Sequence, residues 1–324
     1  MDPPRFYDPT TVRGVYVERA AVVAAEADAT RERLGIAPAA RDGYRIAAFG
    51  IDCQVGFCTP GASLFVPGAV EDTQRMLAWL YANVERITSL FFSMDTHRVF
   101  QIFHPAWWTD AEGGRPAPFT AITYDDVERG RWRPARDLDA ALEYTAKLEA
   151  SGRYVLTVWP FHTLLGGVSH ALVPAVMEAA IFHAVLRGEP TRFETKGVHE
   201  LTESYSVLAP EVQELGGRTV GTFNQTLFDA LLAYDRVYVF GQAKSHCVLS
   251  TLEDIRARIV ATDAPLIDKI WILEDAMSPV TPPPLDPLPP ALDFPRVAAT
   301  AFEALRAAGM HVARTTDPMV LPPR

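Results

Sequence analysis

Cysteine is scarce: three thiols in 324 residues, at Cys53, Cys58 and Cys247. An odd, small number without a spaced framework excludes a disulfide-stapled scaffold and reads as reduced thiols. Cys53 and Cys58 stand close together but no further ligands follow them, which speaks against a structural zinc site. Positive charge is in deficit, with a net charge of −10. Phosphate binding needs a basic surface, so nucleic acid is excluded as a main partner. No apolar run reaches the roughly 18–20 residues of a membrane span. The opening MDPPRFYDPTTVRG carries early acids and no apolar leader core. A cytoplasmic protein with no membrane partner is the expectation. Internal repeats and a phosphate-cradling strand–Gly-loop–helix unit are also missing.

What is present is apolar material: 48% hydrophobic against 22% charged residues, enough for a large core. Residues 1–44 read as an N-terminal arm with a helix at 17–34. Residues 45–324 read as one α/β domain with an insertion at about 105–150. Runs of β-formers fall at 46–52, 87–95, 154–159, 192–197, 236–241, 269–275 and 310–315. Helical spacing appears at 70–84, 168–188, 223–234, 246–259 and 297–309, and within the insertion at 138–150. TPPPLDPLPP at 281–290 reads as a proline-stiffened loop. Strand–helix alternation predicts a three-layer, Rossmann-like fold: a mostly parallel six-stranded sheet with helices on both faces.

In such sheets ligands bind beyond the C-terminal strand ends. Those ends carry Asp52, Asp95 with His97, Trp159 with His162, Lys196 and Cys247. Singly, each has an ordinary reading as a turn acid, a solvated lysine or an inert core thiol. Together they form a coherent set. A thiolate at a helix start beside an ammonium has a depressed pKa, and a carboxylate nearby can take and return its proton.

The stretch GIDCQVGFCTPGASLFVPG resembles the opening motif of the isochorismatase-like cysteine hydrolases, which include the nicotinamidases. It supplies Asp52, Gln54, Phe57 and Cys58, then Val66, Pro67 and Gly68. GQAKSHCVLST resembles that family's nucleophile loop, and Lys196 precedes a TESYS segment as the family's lysine does. The resemblance implies Asp52 as acid/base, Lys196 as electrostatic partner and Cys247 as nucleophile. It also implies a cis peptide at Gln242-Ala243 in an oxyanion loop that ends at Cys247. A small-molecule substrate and a homo-oligomer follow from it, with no organic cofactor. The implied reaction is cleavage of a C–N bond in a small aromatic carboxamide. An N-carbamoyl compound or a vinyl ether is the alternative substrate, and a non-catalytic scaffold on the same fold the alternative role.

Asp95, His97 and His162, in DTH and WPFH, match the family's metal motifs; two imidazoles and a carboxylate suit zinc, iron or manganese. The family's second histidine of that stretch is replaced by Gln101, which leaves His104 as an extra candidate. Gln54, Phe57, Phe103, Trp107, Trp108 and Trp159 are expected to wall the substrate pocket. Lys244 and His246 flank the nucleophile, to tune it, to touch an anionic substrate or to face solvent. His170 and His183 are expected within the 168–188 helix as structural residues.

Overall fold

The structure, a computed structural model, describes residues 1–281, 286–288 and 292–321. The expected proline-stiffened loop therefore lies largely outside the described residues. Six strands build the central sheet: β1 (Ile46–Ile51), β2 (Ser89–Asp95), β3 (Arg192–Lys196), β4 (Arg236–Gly241), β5 (Ile270–Leu273) and β6 (His311–Ala313). Their spatial order is β6-β5-β4-β1-β2-β3, and every pairing is parallel. β1, IAAFGI, is buried at all six positions, as a central strand covered on both faces must be.

The helices are α1 (Ala20–Leu34), α2 (Ala69–Asn83), α3 (Leu138–Ser151), α4 (Pro174–Arg187), α5 (Gln225–Leu232), α6 (Leu249–Thr262) and α7 (Phe294–Ala307). Their ends follow local chemistry. α2 opens with Glu71 and Asp72, which suit the positive end of the helix dipole. α4 begins at a proline, and Gly188 closes it in the left-handed region. α1 packs on α4, and Arg19 fastens the arm by hydrogen bonds to the buried Glu178 carboxylate.

Two expected elements differ. Residues 154–159 do not enter the central sheet: only Leu156–Thr157 is strand, paired antiparallel with Ala121–Ile122. The run's β-formers serve this two-stranded ribbon instead, with Leu156 and Val158 buried in the hydrophobic core. Secondly, the helix expected over 168–188 starts at Pro174. A separate 3-10 turn, Val168–His170, precedes it, so His170 sits in a turn, with its Nε2 2.9 Å from the Thr96 hydroxyl. His183 does lie in the helix, its Nε2 3.0 Å from the Ile87 carbonyl.

The insertion holds a second ribbon, Trp108–Thr109 against Arg133–Pro134, and α3. Trp107, Trp108 and Tyr144 are fully buried in it. Trp108 donates its indole N–H to the Ile102 carbonyl at 2.6 Å.

Candidate active site

In the order 6-5-4-1-2-3 the chain reverses direction of winding between β1 and β4, which leaves a crevice beyond their C-terminal ends. Ile51 and Gly241 stand opposite one another there, and Asp95 is paired in register with Lys196. Sheet register alone therefore brings four chain segments, separated by up to about 190 residues, to one edge.

Asp52 follows β1 directly, in the left-handed region at φ 46° and with no solvent exposure. Its amide donates to Ser93 Oγ at 3.0 Å, and Ser93 returns its hydroxyl proton to Asp52 Oδ1 at 2.5 Å. Lys196 Nζ lies 3.0 Å from Asp52 Oδ2. It donates to Asp95 Oδ1 at 2.6 Å, to the Ser204 carbonyl at 3.0 Å and to Cys247 Sγ at 3.5 Å. Cys247 sits in a single π turn, Lys244–Val248, ahead of α6; such turns concentrate at functional sites. The Gln242-Ala243 peptide before it is cis. Gly241, at φ 118°, has no room for a side chain: a Cβ would meet the Ile51 carbonyl oxygen at 2.0 Å. Gln242 is held from α2, its amide donating to Asp72 Oδ2 at 2.9 Å.

Burial raises the Asp52 pKa, and the Asp95 charge adds to that against the pull of Lys196 and Ser93. Asp95 is buried too, but its contacts with His97 and with the Lys196 ammonium outweigh burial and hold its carboxyl well below the usual range. Burial would strip the Lys196 proton; Asp52 and Asp95 reverse this and keep it firmly an ammonium. The Cys247 thiol moves opposite to the sequence expectation. Burial pushes its pKa well up, and Asp52 and Asp95 push it further, against Lys196. The resting group is a thiol, with a carboxylate partner whose own affinity for a proton is elevated.

Beside this trio, Asp95 Oδ2 faces His97 Nε2 at 2.8 Å and His162 Nε2 at 3.4 Å. His97 Nδ1 lies 3.1 Å from the Gly197 carbonyl, and His162 Nδ1 2.8 Å from the Pro160 carbonyl. A carbonyl only accepts, so both rings place their N–H there and turn an Nε2 lone pair toward the same carboxylate. Among the described residues, three acceptor atoms meet within 4.8 Å, and buried His97 Nε2 has no hydrogen-bond partner. That set is satisfied by a shared cation, and carbonyl-anchored imidazoles are the usual outer support of a metal. The residues thus fit a divalent metal ion. Gly197, at φ 76°, makes space for the arrangement: a Cβ there would come within 2.6 Å of His97 Cε1. His104 is not part of this ligand set. Its Nδ1 is 2.9 Å from the Arg98 carbonyl, and its buried Nε2 has no hydrogen-bond partner among the described residues.

A narrow cavity of about 380 Å³, counting its mouth, opens onto Cys247, Lys196, Asp95 and His162. Phe57, Leu64, Trp159 and Val280 give it apolar walls. Phe57 and Trp159 thus lie where the sequence places them, whereas four expected wall residues do not. Gln54 bridges the backbone, donating to the Asp95 and His170 carbonyls and accepting from the Asp95 amide. Phe103 packs behind His97, its ring centroid 4.7 Å away. Trp107 and Trp108 are fully buried in the hydrophobic core and are not among the residues that line the cavity.

Sequence reading missed Glu203, Tyr205 and Ser93. Glu203 is a buried cavity carboxyl whose pKa is raised to about 7, by burial first and then by Asp95. Tyr205 accepts the Trp159 indole N–H at 3.0 Å. Both stand in the TESYS segment that drew attention to Lys196. Ser93 lies two residues before Asp95, so strand alternation puts both on one face of β2.

No family model matches the chain, and no curated protein matches it in sequence. Solved structures do. A nicotinamidase/pyrazinamidase from Acinetobacter baumanii is 20% identical, with a TM-score of 0.53, and the match covers 85% of this chain and 99% of that one. The yeast nicotinamidase Pnc1p is 20% identical, with a TM-score of 0.53 and coverage of 82% and 98%. Pnc1p bound to the inhibitor nicotinaldehyde matches at the same identity and TM-score. The chain therefore has the fold of the nicotinamidases.

Proposed function

We propose that this protein is a cysteine amidohydrolase that cleaves the C–N bond of a small aromatic carboxamide through a thioester. The observation that carries the reading is the contact set at the cavity floor: one thiol, with the Lys196 ammonium 3.5 Å away and Asp52 bound to that ammonium at 3.0 Å. In the first half-reaction the Cys247 sulfur attacks the amide carbon while its proton passes to Asp52. The C–N bond then breaks, and Asp52 returns the proton to the departing nitrogen, releasing ammonia. In the second, water attacks the thioester carbon, Asp52 takes the water proton, and the C–S bond breaks to give the acid and the thiol. Lys196 stays protonated throughout and balances the charge that moves between sulfur and carboxylate. Asp95, His97 and His162 would hold a divalent cation, zinc, iron or manganese, which supplies Lewis-acid polarisation beside the substrate. The apolar walls favour an aromatic ring over a bare N-carbamoyl chain.

The test is ammonia release from benzamide, nicotinamide and pyrazinamide. Cys247→Ala should lower turnover by about 10⁴-fold or more with an unchanged circular dichroism spectrum. A folded alanine variant with full activity would rule out the thioester route.

A further inference from the structure

The sheet ends on one side at β3, whose sole strand neighbour among the described residues is β2. The Thr96 amide donates to the Lys196 carbonyl at 2.9 Å, so the Lys196 backbone faces β2. Peptide groups alternate sides along a strand, which turns the N–H and C=O of Phe193 and Thr195 away from the sheet. Among the described residues no hydrogen bond reaches these groups, and both residues are exposed, Phe193 by 45%. An open row of backbone donors and acceptors is a template for another strand, and edges that stay unpaired are commonly blunted by lysines, prolines or bulges. This edge instead carries TRFET, residues 191–195, which reads the same in both directions except that arginine is exchanged for glutamate. Among the described residues neither charge has an ion-pair partner: Arg192 lies over the Phe91 ring at 5.1 Å, and Glu194 accepts from the Asn224 amide at 3.4 Å. The Phe193 ring stacks on Phe92, with 6.2 Å between centroids.

We infer that a second copy of this chain docks antiparallel on β3 across a two-fold axis at Phe193, joining two six-stranded sheets into one. That axis sets Thr191 opposite Thr195, Arg192 opposite Glu194, and Phe193 opposite its own counterpart. Outward-facing backbone meets outward-facing backbone, so the ladder bonds can close. Opposite charges meet twice, once on each side of the axis, and such cross-strand pairs are stabilising. The neighbouring registers keep the ladder but not the charges. An axis at Glu194 opposes two glutamates and sets Arg192 against Lys196, and an axis at Arg192 opposes two arginines. Charge therefore selects Phe193 as the centre, and the contact is isologous, as a closed dimer requires. The inference is independent of the reaction assigned to the cavity.

The experiment is sedimentation velocity of the full chain, with circular dichroism as the check on folding. The wild type should be a dimer. Arg192→Glu sets glutamate against glutamate, and Glu194→Arg sets arginine against arginine, so each alone should weaken dimerisation about tenfold or more. The two substitutions together reverse every pair and should restore the dimer. A wild type still monomeric at about 100 μM overturns the inference. So do single variants that dimerise as the wild type does, or a double variant no better than the singles. A second measurement does not depend on the charge variants folding. A short bis-maleimide should join Phe193→Cys chains, whose two sulfurs meet at the axis. It should not join Val198→Cys chains, whose sulfurs would stand roughly 30 Å apart along the strands. Position 198 is as open as 193, at 48% exposure, and the three native thiols are buried. Equal crosslinking at the two positions, or none at 193, overturns the inference.

Discussion

One ammonium, that of Lys196, answers two buried carboxylates and a thiol, and the balance among these four groups sets the chemistry. Asp52 is the carboxyl suited to carrying a proton, because its pKa is raised while that of Asp95 is depressed. The same charges hold the thiol protonated at rest. Asp52→Asn removes a negative charge and exchanges one acceptor oxygen beside the sulfur for an N–H donor, so the thiol pKa should fall. Alkylation of Cys247 by iodoacetamide at pH 7 should then speed up, while ammonia release drops by roughly 10²–10⁴-fold. The two readouts move in opposite directions only if Asp52 works on the sulfur; alkylation slowing together with turnover would sink the assignment. The motif residues of this trio were legible in the sequence. The direction of the thiol's pKa was not, since it depends on desolvation, and a string of letters records no burial.

At the scale of elements, strand ends delivered what they promised and the insertion did not. Ile51 opposite Gly241 and Asp95 opposite Lys196 are consequences of parallel register. The 154–159 run shows the limit of reading composition: its β-formers fit a pleated surface, but that surface is a two-stranded ribbon outside the main sheet. Trp107 and Trp108 were misplaced for the same reason, as aromatic residues fill a hydrophobic core as readily as they face a ligand. The insertion is tied to α6 by Arg153, 3.3 Å from Glu253 and 3.4 Å from Asp254, and it also faces buried Glu211 at 4.0 Å. Burial raises the Glu211 pKa to about 7 despite Arg153. The folded state therefore holds a proton that the unfolded chain releases near pH 4–5. Stability should fall as pH rises from about 4.5 to about 7 and level off above, with a loss of order 3 kcal/mol. Glu211→Gln should reduce that slope, seen as a smaller difference between urea midpoints at pH 5 and pH 8. Glu203, also near 7, supplies a second share over the same window, so the slope should shrink without vanishing.

For the whole molecule, the charge balance of the crevice points to an added cation. Asp52 and Asp95 pair with the Lys196 ammonium, Glu203 adds a third carboxyl at the cavity, and two imidazoles turn lone pairs toward Asp95. Binding to the native state alone should raise the melting temperature. At a hundredfold excess over Kd the gain is about 2.7 kcal/mol, or several degrees. Thermal melts in chelator and in zinc, manganese or iron(II) should show that rise, and His97→Ala should abolish it. A melting temperature indifferent to all three metals would count against the cluster.

Sequence by itself determined the α/β class, the helices and strands of strong periodicity, and the identities of Asp52, Lys196, Cys247, Asp95, His97 and His162. Those are local properties: side-chain period, turn chemistry and short motifs are written within a few neighbouring residues. Only the tertiary structure decided which of these groups touch, which way their protons lean, and which aromatic residues wall the cavity. Contact, desolvation and field depend on segments that meet through sheet register and packing, and those are properties of the folded chain as a whole.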